Sequence, residues 1–156
     1  MTISHTLESY MMRKGIKYDL ISHPRTQNSM QTAQIAHISG DCLAKAVLLE
    51  DEGGYLMAAL PSTHKLEMGE LHRALQRRLG LATESEISAL FKDCEAGAIP
   101  PLGAAYGVEM IWDDSLAEQP DIYFEAGSHE DLIHMSGEQF RGLLSYAKHG
   151  RFSRHM

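Results

Sequence analysis

CLAKAVLLEDEGGYLMAAL, residues 42–60, is the stretch whose reading decides the fold. Residues 42–49 and 55–60 are apolar runs, and Asp51-Glu52-Gly53-Gly54 between them offers the residues of a tight turn, so the segment predicts a β-hairpin. Period-2 alternation puts Cys42, Ala44, Ala46 and Leu48 on one face and Leu43, Lys45, Val47 and Leu49 on the other. Pro61 ends the second strand.

Helix signals flank the hairpin on both sides. Leu7, Tyr10 and Met11 form an apolar face within residues 6–14, and Gly15 stops it; residues 17–22 read as a short strand ended by His23-Pro24. Ser29 can cap a helix running to about His37. Beyond the hairpin, Met68, Leu71, Leu75 and Leu79 make one stripe along residues 67–79. Glu67 and Glu70 lie in the first turn of that helix, Arg77 and Arg78 in its last, and Gly80 follows. Thr83-Glu84-Ser85-Glu86 is a capping box opening a helix to Phe91, and Ser136 with Gln139 opens another through about Lys148. Residues 108–112, 122–126 and 131–135 read as strands, and glycines and prolines break up residues 92–107. Hairpins mixed with crossovers predict an α/β domain around a mixed sheet. With no repeat and no linker, residues 1–156 read as one domain.

Composition narrows the function classes. The 156 residues are 44% hydrophobic and 22% charged, as in globular proteins. The net charge of −7 excludes a generally basic nucleic-acid binder of the histone kind and gives no indication of DNA as a partner. It conceals an asymmetry: residues 1–83 balance at +1, residues 84–138 at −12, and residues 139–156 at +4. An anionic partner is repelled by the middle segment and approaches the two ends, unless the acid is only a solvated surface. No apolar run nears the roughly 18 residues that span a bilayer, and residues 1–13 lack the pattern of a secretory signal. Two cysteines outside any CxxC spacing, Cys42 and Cys94, fit a reducing cytoplasm.

A few residues could carry chemistry. Lys45 lies in an apolar strand, where an unsolvated ammonium is costly. It is either an edge-strand lysine reaching solvent or a cation aimed into a pocket to hold a carboxylate, carbonyl or phosphate. Gly97-Ala98-Ile99-Pro100-Pro101-Leu102-Gly103 combines fixed φ with close backbone approach, which suits either a pocket wall or a tight connector. His129 follows Ala126-Gly127-Ser128 at a strand end and reads as a substrate-positioning group or an exposed loop histidine. The nine histidines show no HExxH, HxH or paired-cysteine spacing, so no metal is expected. Cys94 sits between Asp93 and Glu95, which raise a thiol pKa, and reads as a buried thiol rather than a nucleophile.

Taken in order, these pieces resemble the YbaK/EbsC family, the prolyl-tRNA synthetase-associated domain that edits mischarged tRNA. The resemblance runs from about His23 to Leu144. It is carried by His23-Pro24, Thr32-Ala33, Ala44-Lys45, Pro61 with His64-Lys65-Leu66, the loop from Gly97 to Pro101 with Leu102-Gly103, and Ala126-Gly127-Ser128-His129. It departs from one common variant at Ser62-Thr63, where a Gly-Asp pair often precedes the basic residue. The resemblance implies a barrel-like mixed sheet flanked by helices, whose small pocket takes the aminoacyl group and terminal adenosine of a misacylated tRNA. The ester is then hydrolysed without a metal or other cofactor, in trans, with an aminoacyl-tRNA synthetase as a further partner. Lys45 matches the residue most tied to activity, Gly97 to Pro101 the pocket loop, and Thr32, Gly127 and His129 the substrate surroundings. An oxyanion develops in such a hydrolysis and needs preorganised donors or a cation, and Lys45 can supply one. The substrate's own ribose hydroxyl can activate the water. Phosphate contacts are expected from Arg73, Arg77 and Arg78 on the 67–79 helix and from Lys148, Arg151 and Arg154 near the C-terminus.

Overall fold

The computed structural model describes residues 3–156. In chain order the elements are α1 (His5–Lys14), β1 (Asp19–Ser22), α2 (Ser29–Ala36), β2 (Leu43–Asp51), β3 (Gly54–Pro61), β4 (His64–Leu66), α3 (Met68–Leu75), β5 (Gly80–Leu81), α4 (Glu84–Leu90), β6 (Glu109–Asp113), β7 (Asp121–Glu125), β8 (Asp131–Ser136), α5 (Gly137–Leu143), β9 (Lys148–Gly150) and β10 (Ser153–His155).

The hairpin forms as read and sits at the centre of the sheet. Strands run in the order β1-β8-β7-β2-β3-β6-β9, with β5 against the far end of β2. β1/β8, β8/β7 and β2/β3 are antiparallel, while β7/β2, β3/β6 and β6/β9 are parallel. The sheet is therefore mixed, as expected. β4 and β10 form a separate two-stranded ribbon.

Strand alternation divides the apolar side chains between two sheet faces. Ala44, Leu48, Met57, Met110, Phe124 and Ile133 join Leu7 and Met11 of α1 and Phe140 of α5 in the largest core. On the opposite face Leu49, Leu56 and Ile111 pack with Leu71 of α3, and Leu43 and Leu132 pack with Ala33 of α2. Lys45 lies on this second face, between the residues covered by α2 and those covered by α3.

Most boundaries shift by a residue or two, and three helix ends differ for identifiable reasons. α3 ends at Leu75, because Gln76 takes a left-handed conformation (φ 55°) and Arg77 turns away to pair with Asp51. Leu79 still reaches the core, at 5% exposure, from the turn beyond the helix. The last helix ends at Leu143, and Lys148–Gly150 instead pairs with β6. α2 is capped by Asn28, whose side chain accepts from the Gln31 N–H, rather than by Ser29. The Thr83–Glu86 capping box is present in both directions. Among the described residues, no helix is long and apolar enough to cross a membrane.

Candidate active site

β7 leaves the edge of β2 after the pair Ala44↔Phe124, and β5 joins only from Leu49↔Leu81 to Glu50↔Gly80. Residues 45–48 are thus without a strand neighbour on that side. The Leu43 carbonyl accepts from Ser62, so odd residues of β2 turn their polar backbone groups to β3 and Ala46 turns its own to the bare edge. A cavity of about 270 Å³ fills the gap, with Ala46, Val47, Leu48, Ile87, Gly97 and Ile99 in its walls. The strand and the glycine–proline loop are brought together here.

Lys45 precedes Ala46 of this wall in sequence and is not itself among the residues that line the space. Its side chain leaves on the face shared by Val47 and Leu49, is half-buried, and brings Nζ within 3.4 Å of the Ser62 carbonyl. Burial pushes the ammonium below the ordinary lysine value, and among the described residues no charged group compensates it. β2 lies inside the sheet, but Lys45 stands where its edge opens between β7 and β5.

One step beyond Ala44↔Phe124 come Lys45 and Glu125, on the same sheet face. Glu125 is 4% exposed, and sequence reasoning missed it. Within DIYFE it alternates with Ile122 and Phe124, the pattern of an ordinary solvent-facing acid. In the fold, α2 covers it: Thr32, fully buried, donates to Glu125 Oε1 at 2.8 Å, and Thr26 Oγ1 lies 2.5 Å from Thr32 Oγ1. Burial drives the Glu125 carboxyl above its usual range, against the hydrogen bond from Thr32 and the nearby His129 and His23.

His129 is buried, not an exposed loop residue. Its Nδ1 is 3.5 Å from Glu125 Oε2, its Nε2 2.6 Å from the Ala96 carbonyl, and its backbone N–H donates to Glu95 Oε2 at 3.0 Å. Both ring nitrogens thus face protein, and the imidazole fastens the residues that lead into Gly97. Gly127, at φ 102°, secures the same loop through its N–H to the Ala98 carbonyl and its carbonyl from the Glu95 N–H. Gly97 and Ile99 face the cavity while Ala98, Pro100 and Pro101 are buried behind them. Cys94 is half-buried, with a pKa pushed up to about 11 chiefly by burial, so it is no nucleophile at neutral pH. No cluster of three or more metal-ligating side chains occurs among the described residues.

The basic residues fall into two groups. Arg77 is bound bidentately to Asp51, at 2.7 and 2.8 Å, and to Glu109 at 3.1 Å. It buttresses the hairpin turn and is not free for phosphate, which corrects the expectation placed on it. Arg73 pairs with Glu70 on α3, and Arg78 is exposed beyond the helix. The β4/β10 ribbon was not foreseen. It sets Lys65 opposite Arg154, with Arg151 and Lys148 exposed nearby in sequence. Ser62, whose carbonyl meets Lys45, immediately precedes the ribbon.

The profile of the aminoacyl-tRNA editing domain family matches residues 23–143. Among solved structures, a hypothetical protein superposes with a TM-score of 0.85 at 18% identity, over 96% of this chain and all of that one. A candidate trans-editing enzyme for prolyl tRNA synthetase gives 0.83 at 18% identity, over 97% of this chain and 96% of that one. A candidate signal transduction protein from Marinobacter aquaeolei gives 0.76 at 21% identity, over 95% of this chain and 30% of that one. At these identities the structures share the fold. No match is found among curated proteins.

Proposed function

The chain belongs to the aminoacyl-tRNA editing domain family, and from that membership we propose that it is a trans-acting deacylase. It hydrolyses the ester of a small amino acid, such as alanine, serine or cysteine, misattached to the tRNA for proline or another acceptor. It works in the cytoplasm, alone or beside an aminoacyl-tRNA synthetase. The observation that carries this reading is Lys45: a half-buried ammonium with no carboxylate partner among the described residues, one residue before Ala46 in the wall of a cavity that Gly97 and Ile99 also line. A cation left without a counter-charge is matched to an anionic visitor.

The chemistry is a hydrolysis. Water adds to the ester carbonyl, the oxyanion collapses, the bond to the ribose oxygen breaks, and that oxygen leaves with a proton. The neighbouring ribose hydroxyl of the substrate relays the proton, so no protein nucleophile is needed. Lys45 stabilises the oxyanion or clamps the 3′-terminal phosphate. The cavity, walled by Ala46, Leu48, Ile87 and Ile99 with Glu84 at its side, admits a short side chain. The β4/β10 ribbon beyond Ser62, with Lys65, Arg151 and Arg154, offers the acceptor strand a cationic approach.

The test is a panel of tRNAs charged with correct and incorrect amino acids, incubated with the purified full chain. Faster ester loss from at least one small-residue mischarged tRNA than in buffer supports the reading. Binding of tRNA with no acceleration on any member of the panel overturns it in favour of a non-catalytic binding module.

A further inference from the structure

Three buried side-chain nitrogens and oxygens near the pocket loop have no hydrogen-bond partner: His23 Nε2, Glu125 Oε2 and His129 Nδ1. Orphaned buried polar atoms are expensive, and two of these face each other at 3.5 Å.

The opposite edge of the imidazole decides what lies between them. Ala96 O is 2.6 Å from His129 Nε2, and a carbonyl only accepts, so Nε2 carries a hydrogen. In a neutral ring Nδ1 is then a bare lone pair. A bare lone pair opposite an ionised carboxylate would leave two acceptors repelling each other out of reach of water. One proton placed between the two atoms removes that repulsion, either as a carboxylic acid donating to Nδ1 or as an imidazolium facing a carboxylate. Either way the dyad is neutral overall.

The shared proton has a structural consequence at the cavity. A Cβ placed on Gly97 would meet His129 Cε1 at 3.3 Å, and Glu95, Ala96 and Gly97 are clipped to His129 by the bonds at its ring and its backbone. The ring orientation thus sets where the cavity wall stands. Other ionisable groups around the dyad are His23 and Arg25 after β1, Glu95 after α4, Glu130 and Asp131 in the β7–β8 turn, and Lys45 on β2. Arg25 pairs with Glu95 and Glu130, and Asp131 is occupied by Ser22 and Ser128.

We propose that Glu125 is a positioning residue of the pocket, which orients His129 through a shared proton and thereby fixes the wall at Ala96–Gly97. This rests on the deacylase reading for its kinetic readout but not for its spectroscopic one. Glu125→Gln retains the geometry, because a carboxamide donates to Nδ1 while accepting from Thr32. Glu125→Ala removes it.

The experiment pairs nitrogen NMR of the His129 ring with deacylation kinetics for wild type and both variants. At pH 7 the wild type and Glu125→Gln should show a hydrogen on Nε2, with Nδ1 hydrogen-bonded or protonated; Glu125→Ala should show mixed tautomers. In kinetics Glu125→Gln should stay within about threefold of wild type in kcat/KM, and Glu125→Ala should lose at least tenfold per folded molecule. A neutral wild-type ring with its hydrogen on Nδ1 overturns the proposal. So does Glu125→Gln being as impaired as Glu125→Ala, or Glu125→Ala matching wild type. Should Glu125→Ala fail to fold, wild type and Glu125→Gln still decide through the tautomer and the threefold limit. A wild type without deacylase activity would defeat the functional reading alone, since the ring spectrum reports the dyad independently.

Discussion

Replacing Gly127 by alanine should be among the most damaging single-methyl changes available in this protein. The residue sits at φ 102°, where a side chain is strained, at a cost of about 1–2 kcal/mol. The added Cβ would stand 2.8 Å from Ser4 Cβ and 3.3 Å from Ser4 N. Ser4 cannot retreat easily. Its N–H donates to the Ala126 carbonyl at 2.7 Å, and its hydroxyl caps Leu7 and donates to Asp93 at 2.9 Å. Forcing it aside adds about 1–3 kcal/mol, as overpacking generally does. The total is about 2–5 kcal/mol, and at roughly 2–4 °C per kcal/mol for a domain of this size the melting temperature should fall by about 10 °C. Gly54→Ala is the matched control: its φ is 129°, but nothing lies within 4 Å of the new Cβ. It should lose only the backbone part, about 4 °C. Differential scanning calorimetry of both variants checks this. Equal losses would refute the close approach of Ser4 to Gly127.

Two further outcomes follow from the electrostatics. His134 bridges Asp19 and Asp121 at 2.9 and 2.8 Å; burial opposes its charge, but the two carboxylates outweigh burial and hold its pKa above the ordinary value. The stabilisation is complete below about pH 6.5 and is lost as pH rises through the elevated value, so the melting-temperature gap between wild type and His134→Gln should narrow from pH 6 to pH 9. Both aspartates are more than half exposed, so the gap should be only about 1–3 °C and should shrink in salt; a gap that widens with pH would contradict the assignment. On the tRNA side, Lys65→Ala combined with Arg154→Ala should flatten the slope of log affinity against log salt by about 1.5. Arg77→Ala should leave that slope unchanged while lowering the melting temperature by a few degrees; the reverse pattern in a filter-binding salt series would remove the ribbon from the tRNA-binding face.

The hairpin was legible because two apolar runs and a Gly-Gly turn are local signals, and local signals survive folding. The Thr83–Glu86 capping box was legible for the same reason. The end of α3 was not: the apolar stripe continues to Leu79, and only the left-handed Gln76 and the pull of Asp51 on Arg77, 26 residues away in sequence, break the helix. β4 and β10 are three residues each, too short to show alternation. Lys45 was visible as a charge in an apolar strand. Glu125 was not, since its partner Thr32 lies 93 residues upstream and an acid in DIYFE reads as surface.

The central claim is that Lys45 acts on the ester or on the phosphate beside it. Single-turnover deacylation of a mischarged tRNA accepted by the wild type tests it most directly, with Lys45→Ala compared at matched folded concentration. The half-buried ammonium makes its one hydrogen bond to a carbonyl, so its removal should leave the melting temperature nearly unchanged. The rate should fall at least tenfold, about 1.4 kcal/mol or more of transition-state stabilisation. A Lys45→Ala protein that folds normally and deacylates at the wild-type rate would contradict the account.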